Sequence, residues 1–246
     1  MKIGIIAPSP VPFTVGGAEK LWWGLLRHIN TNTPHQAELV KLPSREHNFW
    51  DLVASYQAFS ELDVSHFDVV ISTKYPAWMV SHPRHICYMQ HRLRGLYDTY
   101  HFTRLPQDYT TDHPELIAIQ GLLAGPRTRE NLREVFTRLR SLRYRADVPQ
   151  DAFAFPGSFI RQLVEFFDGV ALDPSQIESF HAISRTVAAR RSYFPADATV
   201  NVVHHPSNLE EFRCGEFQYF FTASRLDEAK RLTLLAEAMQ YGDSPC

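Results

Sequence analysis

The chain has 246 residues, of which 44% are hydrophobic and 21% are charged, which excludes disordered and fibrous proteins. The length exceeds one average domain and is short for two full ones. The formal net charge of −2 argues against a general nucleic-acid-binding protein, because such proteins need positive charge to release counterions. Only five of the 25 Lys and Arg residues are lysines, and arginine suits bidentate binding of phosphates and carboxylates.

Strand and helix patterns alternate through the first part of the chain. Residues 2–7 predict a buried parallel strand, residues 8–17 a loop rich in proline and glycine, and residues 18–29 an amphipathic helix. The following elements are a strand at 38–42, a helix at 49–59, and strands at 67–72 and 85–90. Strand, glycine loop and helix open a doubly wound unit, so we predict an α/β fold with a parallel, Rossmann-like sheet flanked by helices.

Residues 100–175 interrupt this alternation with helices predicted at 127–145 and 159–167. The helix at 127–145 carries seven Arg and two Glu, a local charge of +5. Its apolar residues form a single stripe: Leu132, Val135, Phe136, Leu139 and Leu142. The cationic side of this helix has two interpretations. It is either a solvated surface or a docking surface for an anionic acceptor or acidic lipid head groups, which would give peripheral membrane contact.

The alternation resumes with a strand at 179–184, a helix at 185–193 and a strand at 199–203. A second unit follows, with an aromatic-rich strand at 217–223, a polar loop at 224–230 and a helix at 231–241. One strand and one helix cannot bury a core of their own. The predicted domains are therefore 1–212, with a helical insertion at about 100–175, and 213–246 as the incomplete beginning of a second domain.

The cysteines and the amino terminus bear on the cellular compartment in which the protein is expected. Cys87, Cys214 and Cys246 are far apart and form no CxxC pair, which argues against a disulfide framework and favours a reducing environment. The first residues lack the apolar stretch of a signal peptide, and no run approaches 18 apolar residues. We expect a cytoplasmic protein, with attachment to the inner face of a membrane left open.

The first candidate site is the pair Gly16 and Gly17, between the first strand and the first helix. Glycine allows positive φ and close backbone approach, and a helix N-terminus offers N–H groups to an anion such as a phosphate. A tight turn without a ligand explains the spacing equally well. The sequence is not GxGxxG and contains no Walker A motif, which argues against NAD enzymes and NTPases.

Two further candidates come from the ends of predicted strands. Arg225 and Lys230 lie five residues apart around a turn, where two cations would stabilise a diphosphate leaving group. A solvated loop with a charge cluster at a helix start is the simpler explanation. His91 follows a strand at the edge where open α/β sheets bind ligands, and it is either a partner for a sugar hydroxyl or a surface histidine.

A metal centre and a hydrolase triad are not predicted. His82, His85 and His91 are accompanied by no cysteine or acidic ligand, and Pro83 breaks a helical spacing between the first two. No serine lies in a GxSxG motif. We therefore expect neither a metal nor another cofactor.

Taken together, the candidate segments resemble family 4 retaining glycosyltransferases, which have the GT-B fold of two Rossmann-like domains. Four segments carry the resemblance: GGAE at 16–19, ISRTV at 183–187, VHHPSNLEEF at 203–212, and FTASRL at 221–226 followed by Lys230. Ser224 and Arg231 stand where the family usually has glycines.

The resemblance implies a function. The donor would be a nucleotide sugar, transferred without a metal and with retention of anomeric configuration to a glycan, lipid-linked or small-molecule acceptor. Arg225 and Lys230 would hold the donor diphosphate, Gly16 and Gly17 would approach donor and acceptor, and His91 would lie near the transferred sugar. The family's acidic motif has no counterpart before residue 246, so we expect this chain alone to be weakly active or inactive.

Two alternatives remain open at this point. The chain is either this transferase or a non-catalytic sugar- or partner-binding module derived from one. A sugar-nucleotide epimerase is the third hypothesis, although no carboxylate pair is convincingly placed for its acid–base chemistry.

Overall fold

The structure is a computed structural model that describes residues 1–9, 16–206, 213, 215–216, 218–224, 226 and 230–241. The chain divides into two compact units, Met1–Asn208 and Leu209–Cys246. The predicted boundary at residue 212 lies outside the described residues.

The first unit contains one parallel sheet of six strands. The strands are β1 (Lys2–Ser9), β2 (Gln36–Pro43), β3 (Val69–Ser72), β4 (His85–Met89), β5 (Ser179–Ala182) and β6 (Val200–Val202). Their order is β2–β1–β3–β4–β5–β6, and every neighbouring pair is parallel. This is the doubly wound α/β arrangement that the alternating pattern predicts, so the expected fold class is confirmed.

Helices connect these strands. They are α1 (Gly17–Asn32), α2 (Phe49–Ser60), α3 (Pro114–Ala124), α4 (Arg129–Leu142), α5 (Ser158–Ala171) and the single turn α6 (Arg185–Ala188). Helices α3 to α5 lie between β4 and β5, where the sequence predicts a helical insertion. No helix in the described part of the chain is long and apolar enough to cross a membrane.

Strand β1 is buried on both faces, as the run of β-branched residues predicts. Ile3 and Ile5 pack with Ile29 of α1 on one face of the sheet. Ile6 points to the opposite face and joins the large core that includes α2, α4 and α5. The period of two along the strand thus places apolar side chains under helices on both sides.

Gly4 is required inside β1 for a packing reason. A Cβ atom at this position would lie 2.6 Å from the ring of Phe67, which is buried against the strand. The phenylalanine ring therefore occupies the space that any larger residue at position 4 would need.

The arginine-rich helix packs through its predicted apolar stripe. Thr128 caps α4 by accepting a hydrogen bond from the Asn131 backbone N–H at 3.1 Å. Five apolar side chains of α4 are buried: Leu132, Val135, Phe136, Leu139 and Leu142. The stripe belongs to the protein core, and only the cationic side remains for contact with other molecules.

Two predicted elements differ from the structure. The helix predicted at 185–193 is broken into α6 and a 3-10 turn at Arg191–Tyr193, where the Tyr193 hydroxyl donates to Asp98 at 2.8 Å. This long-range contact overrides the local helical pattern. The strand predicted at 217–223 is wrong for residues 218–223, which belong to no strand. An aromatic run becomes a strand only where another strand supplies hydrogen bonds.

The predicted carboxyl-terminal helix is present in the second unit. Helix α7 (Leu232–Ala238) is followed by a 3-10 turn at Met239–Tyr241.

Candidate functional site

The carboxyl ends of the parallel strands share one edge of the sheet. The strand order reverses beside β1, with β2 on one side and β3 on the other. In open α/β sheets, ligands bind outside the carboxyl ends of the strands at such a reversal. The segments that follow β1, β3 and β4 therefore define the candidate site, and they contain Gly16, residues 73–75 and His91.

Gly16 and Gly17 form the start of α1. The Gly16 backbone N–H donates to the Glu19 carboxylate at 2.9 Å, and the Lys20 N–H donates to the Gly16 carbonyl at 3.0 Å. Gly16 has φ −107°, and none of the described glycines has positive φ. The left-handed backbone conformation that glycine permits is therefore not used at Gly16, whose backbone is extended.

The space around the two glycines differs. Among the residues that the structure describes, a Cβ atom at Gly17 would meet no atom within 4 Å, whereas one at Gly16 would lie 3.1 Å from the Glu19 carboxylate. None of these described residues covers the backbone of the first helical turn at Gly17. First-turn N–H groups lack intrahelical acceptors and carry the positive end of the helix dipole, so an anion is the chemistry this opening suits.

His91 lies directly beyond β4 at the same edge. Its Nδ1 is 2.8 Å from the Arg92 carbonyl, and its ring contacts the Tyr75 ring edge-to-face with centroids 5.6 Å apart. Burial lowers the pKa of His91 to about 4, against a raising effect of the Arg92 carbonyl. The imidazole is therefore neutral at pH 7. Because a carbonyl only accepts, Nδ1 carries the proton and Nε2 presents a lone pair.

The strand-edge rule that selects His91 also selects residues that the sequence analysis did not name. Tyr75, three residues beyond β3, donates its hydroxyl to the carboxylate of Glu46, which follows β2. Lys74 Nζ lies 4.8 Å from the Tyr75 ring centroid. Burial, then the charge of Glu46, raises the pKa of Tyr75, so its phenol stays protonated. Glu46 and Tyr75 thus supply polar groups beside His91.

Arg92 fixes the segment that carries His91. Its Nε donates to the Tyr193 carbonyl at 3.1 Å and its Nη1 to the Tyr97 hydroxyl at 2.8 Å. The Asp168 carboxylate lies 3.8 Å from Nη1. These contacts tie the end of β4 to α5 and hold the backbone carbonyl that orients His91.

Asp168 is the centre of a buried polar cluster in α5. It accepts hydrogen bonds from Trp78 Nε1 at 2.8 Å, from the Tyr97 hydroxyl at 2.8 Å and from the Tyr56 hydroxyl at 3.1 Å. Burial raises the pKa of Asp168, while Arg92 and the three donors lower it. The sequence analysis missed this cluster because its members come from four separate segments.

The serine at the end of β5 has a structural role. Ser184 Oγ accepts a hydrogen bond from the Val187 N–H at 3.2 Å and so caps α6.

Of the two predicted site residues in the second unit, the structure describes Lys230. Arg225 lies outside the described residues. Lys230 is exposed and lies two residues before the start of α7. The roles assigned to both from the family resemblance stay predictions.

The three histidines of the rejected metal hypothesis each have a separate partner. His82 Nε2 lies 2.9 Å from the Phe67 carbonyl, and His85 Nε2 lies 2.8 Å from Ser72 Oγ. Among the residues that the structure describes, no group of three or more His, Cys, Asp or Glu is placed to hold a metal ion.

Comparison of the chain with protein-family models, with curated proteins and with solved structures finds no match. The fold and the strand-edge geometry are therefore the physical grounds for a functional hypothesis.

Proposed function

We propose that the chain is the acceptor-side part of a retaining glycosyltransferase that uses a nucleotide sugar as its donor. One observation supports this most directly: Gly17, at the start of α1, and His91, beyond β4, lie at the same carboxyl edge of an all-parallel sheet. Folds of this class bind their ligands at that edge. The resemblance of the sequence to family 4 retaining glycosyltransferases supplies the class of substrate.

The start of α1 would contact a negatively charged part of the substrates. Its N–H groups and helix dipole favour a phosphate, and the open space at Gly17 allows the backbone to approach it. The Glu19 carboxylate already accepts from the Gly16 N–H, so a bound anion would use the N–H groups that follow.

His91 would act through its neutral ring. With its pKa lowered to about 4 and Nδ1 committed to the Arg92 carbonyl, Nε2 can accept a hydrogen bond from a sugar hydroxyl. A protonated imidazole would instead place a cation at this position. The proposal therefore makes His91 a positioning group for the sugar between pH 5 and 8.

The reaction exchanges one bond at the anomeric carbon for another. The bond from that carbon to the diphosphate oxygen breaks, and the acceptor oxygen bonds to the same face of the sugar. The acceptor proton passes to the departing diphosphate. Arg225 and Lys230 are assigned to stabilise the diphosphate charge, and no metal takes part in the proposed step.

The test is calorimetric titration of the chain with a panel of nucleotide sugars and their nucleoside diphosphates. We expect saturable binding of at least one pair, weakened on the order of tenfold by Gly17→Ala, because a methyl group would occupy the approach to the backbone. Gly121→Ala is the matched control, since no described residue places an atom within 4 Å of the Cβ position of this helical glycine either.

The outcomes separate the hypotheses. Neither glycine variant should lower the unfolding temperature, since alanine favours a helix more than glycine does, so a selective loss of binding with Gly17→Ala supports a ligand at α1. Binding without sugar transfer fits both the transferase and the non-catalytic module, since weak or absent activity is expected of this chain alone. Absence of binding across the whole panel would overturn the proposed function.

A further inference from the structure

A cavity of about 530 Å³ lies beside α5 in the first unit. Residues from the end of β4, from the segment before α4, from α5 and from residues 192–196 line it. Its charged lining residues are Arg92, Arg127, Arg161, Glu165, Asp168 and Asp173. The volume lies in the range of small-molecule sites in proteins.

Arg92 presents a pre-oriented guanidinium to this cavity. The residue is only 8% exposed, and its Nε and Nη1 are held by the Tyr193 carbonyl and the Tyr97 hydroxyl. Nη2 forms no hydrogen bond with any residue that the structure describes. The fixed orientation means that little side-chain freedom is lost when Nη2 donates to a ligand.

Arg127 lies against α5 because position 169 is a glycine. A Cβ atom at Gly169 would lie 2.7 Å from Arg127 Nη1 and 2.8 Å from its Cζ. Glycine weakens the interior of a helix, so its place here is explained by the guanidinium that it accommodates. Within the described ranges, Arg127 forms no salt bridge, and its charge faces the cavity uncompensated by a direct carboxylate contact.

Arg161 completes the cationic lining and brings a carboxylate with it. Its Nη2 pairs with Glu165 at 2.6 Å, and its Nε donates to the Leu96 carbonyl at 3.2 Å. Burial raises the pKa of Glu165, while Arg161, Arg127 and Arg92 lower it. All three guanidinium groups therefore act electrostatically on the same carboxylate, and Arg161 contacts it directly.

We propose that this cavity binds a small molecule with a phosphate group and neighbouring hydroxyls, such as a phosphorylated sugar. Arg92 and Arg127 hold the phosphate oxygens by charge-assisted hydrogen bonds. Glu165 and Asp173 accept hydrogen bonds from the hydroxyls. The site is separate from the start of α1 and does not depend on the proposed glycosyl transfer.

The test is calorimetric titration of the whole chain at low ionic strength with inorganic phosphate, ribose 5-phosphate, ribose and acetate. We expect ribose 5-phosphate to bind more tightly than phosphate, because its hydroxyls add contacts, and we expect no binding of ribose. Acetate binding as tight as phosphate binding would contradict the phosphate assignment.

Two variants locate the site. Arg127→Gln removes the cation, and Gly169→Ala displaces it while keeping the charge of the protein. Each should weaken ribose 5-phosphate binding on the order of tenfold. Arg140→Gln is the charge-matched control on α4 and should bind like the wild type. Gly17→Ala should also leave this binding unchanged, which separates it from the proposed donor site.

Circular dichroism and unfolding temperature check that the variants fold. Equal losses with Arg127→Gln and Arg140→Gln would mean that only the overall charge matters, and would overturn the site. Unaltered binding in folded Gly169→Ala would contradict the proposed position of the Arg127 guanidinium.

Discussion

The buried carboxylate of Asp168 offers the sharpest prediction about stability. Replacement of Asp168 by Ala removes the acceptor of three hydrogen bonds, donated by Tyr56, Trp78 and Tyr97, and the anion 3.8 Å from Arg92. The three donors and the guanidinium would stay buried. We therefore expect the free energy of unfolding to fall substantially.

The magnitude follows from the groups left behind. Removal of one partner from a buried charge pair costs about 3–5 kcal/mol. A donor buried without its acceptor costs about 1–3 kcal/mol, and these losses overlap because all of them act at one carboxylate. We expect a total loss of about 3–5 kcal/mol, a large part of the ~5–15 kcal/mol that stabilises a typical domain.

Urea unfolding followed by tryptophan fluorescence measures this loss, because Trp78 is itself a donor to the carboxylate. Asp168→Asn keeps the shape and one acceptor oxygen, so its loss should be smaller than that of Asp168→Ala. Asp173→Ala is the control: within the described residues this carboxylate accepts hydrogen bonds from Ser175 alone, and its loss should stay below ~1 kcal/mol. Asp168→Ala within 1 kcal/mol of the wild type would refute the reasoning about the cluster.

Three further predictions concern packing, pH and surface charge. Gly4→Ala should lower the free energy of unfolding by about 1–3 kcal/mol, because the new methyl group would overlap a buried aromatic ring; a wild-type urea midpoint would contradict this. Burial lowers the pKa of His85 to about 3 and that of His91 to about 4, so protons bind the unfolded chain more tightly. The free energy of unfolding should be highest above about pH 6.5 and should fall by about 1.4 kcal/mol per histidine between pH 7.5 and 5.5. Urea unfolding at these two pH values measures the loss. An equal free energy of unfolding at both would show that neither ring is buried in its neutral form. If α4 docks on acidic lipids, the fraction of protein that floats with anionic vesicles should fall with added salt and in the double variant Arg133→Gln, Arg140→Gln. Lysines at these two positions should keep the flotation, because the apolar stripe of α4 is buried and only the charge of the helix is left to attract the lipids. Equal flotation of both double variants would leave the cationic side of α4 as a solvated surface.

The doubly wound sheet could be predicted from sequence because its signals are local. The run around Ile5 is buried on both faces, and the stripe from Leu132 to Leu142 has the helical period, so each pattern identifies its element without knowledge of its neighbours. The break after α6 could not be found in this way, because it depends on the contact of Tyr193 with the distant Asp98.

The candidate site likewise contains residues that a local sequence signal predicts and residues that depend on contacts between distant segments. The strand-edge rule placed His91 correctly at the end of β4, and the same rule would have found Tyr75 beyond β3. The role of Arg92 and the cluster around Asp168 are invisible in the sequence, because their partners are far apart along the chain. The extended backbone conformation of Gly16 could not be predicted from the sequence, since a Gly-Gly pair permits positive φ without requiring it.

Hydrogen–deuterium exchange with a nucleotide sugar that binds in the titrations tests the central claim most directly. We predict slower amide exchange at residues 17–20, at the start of α1, and at residues 90–92, beyond β4, where the parallel strands end. Protection confined to other segments, with these amides exchanging as in the free protein, would contradict ligand binding at this edge of the sheet.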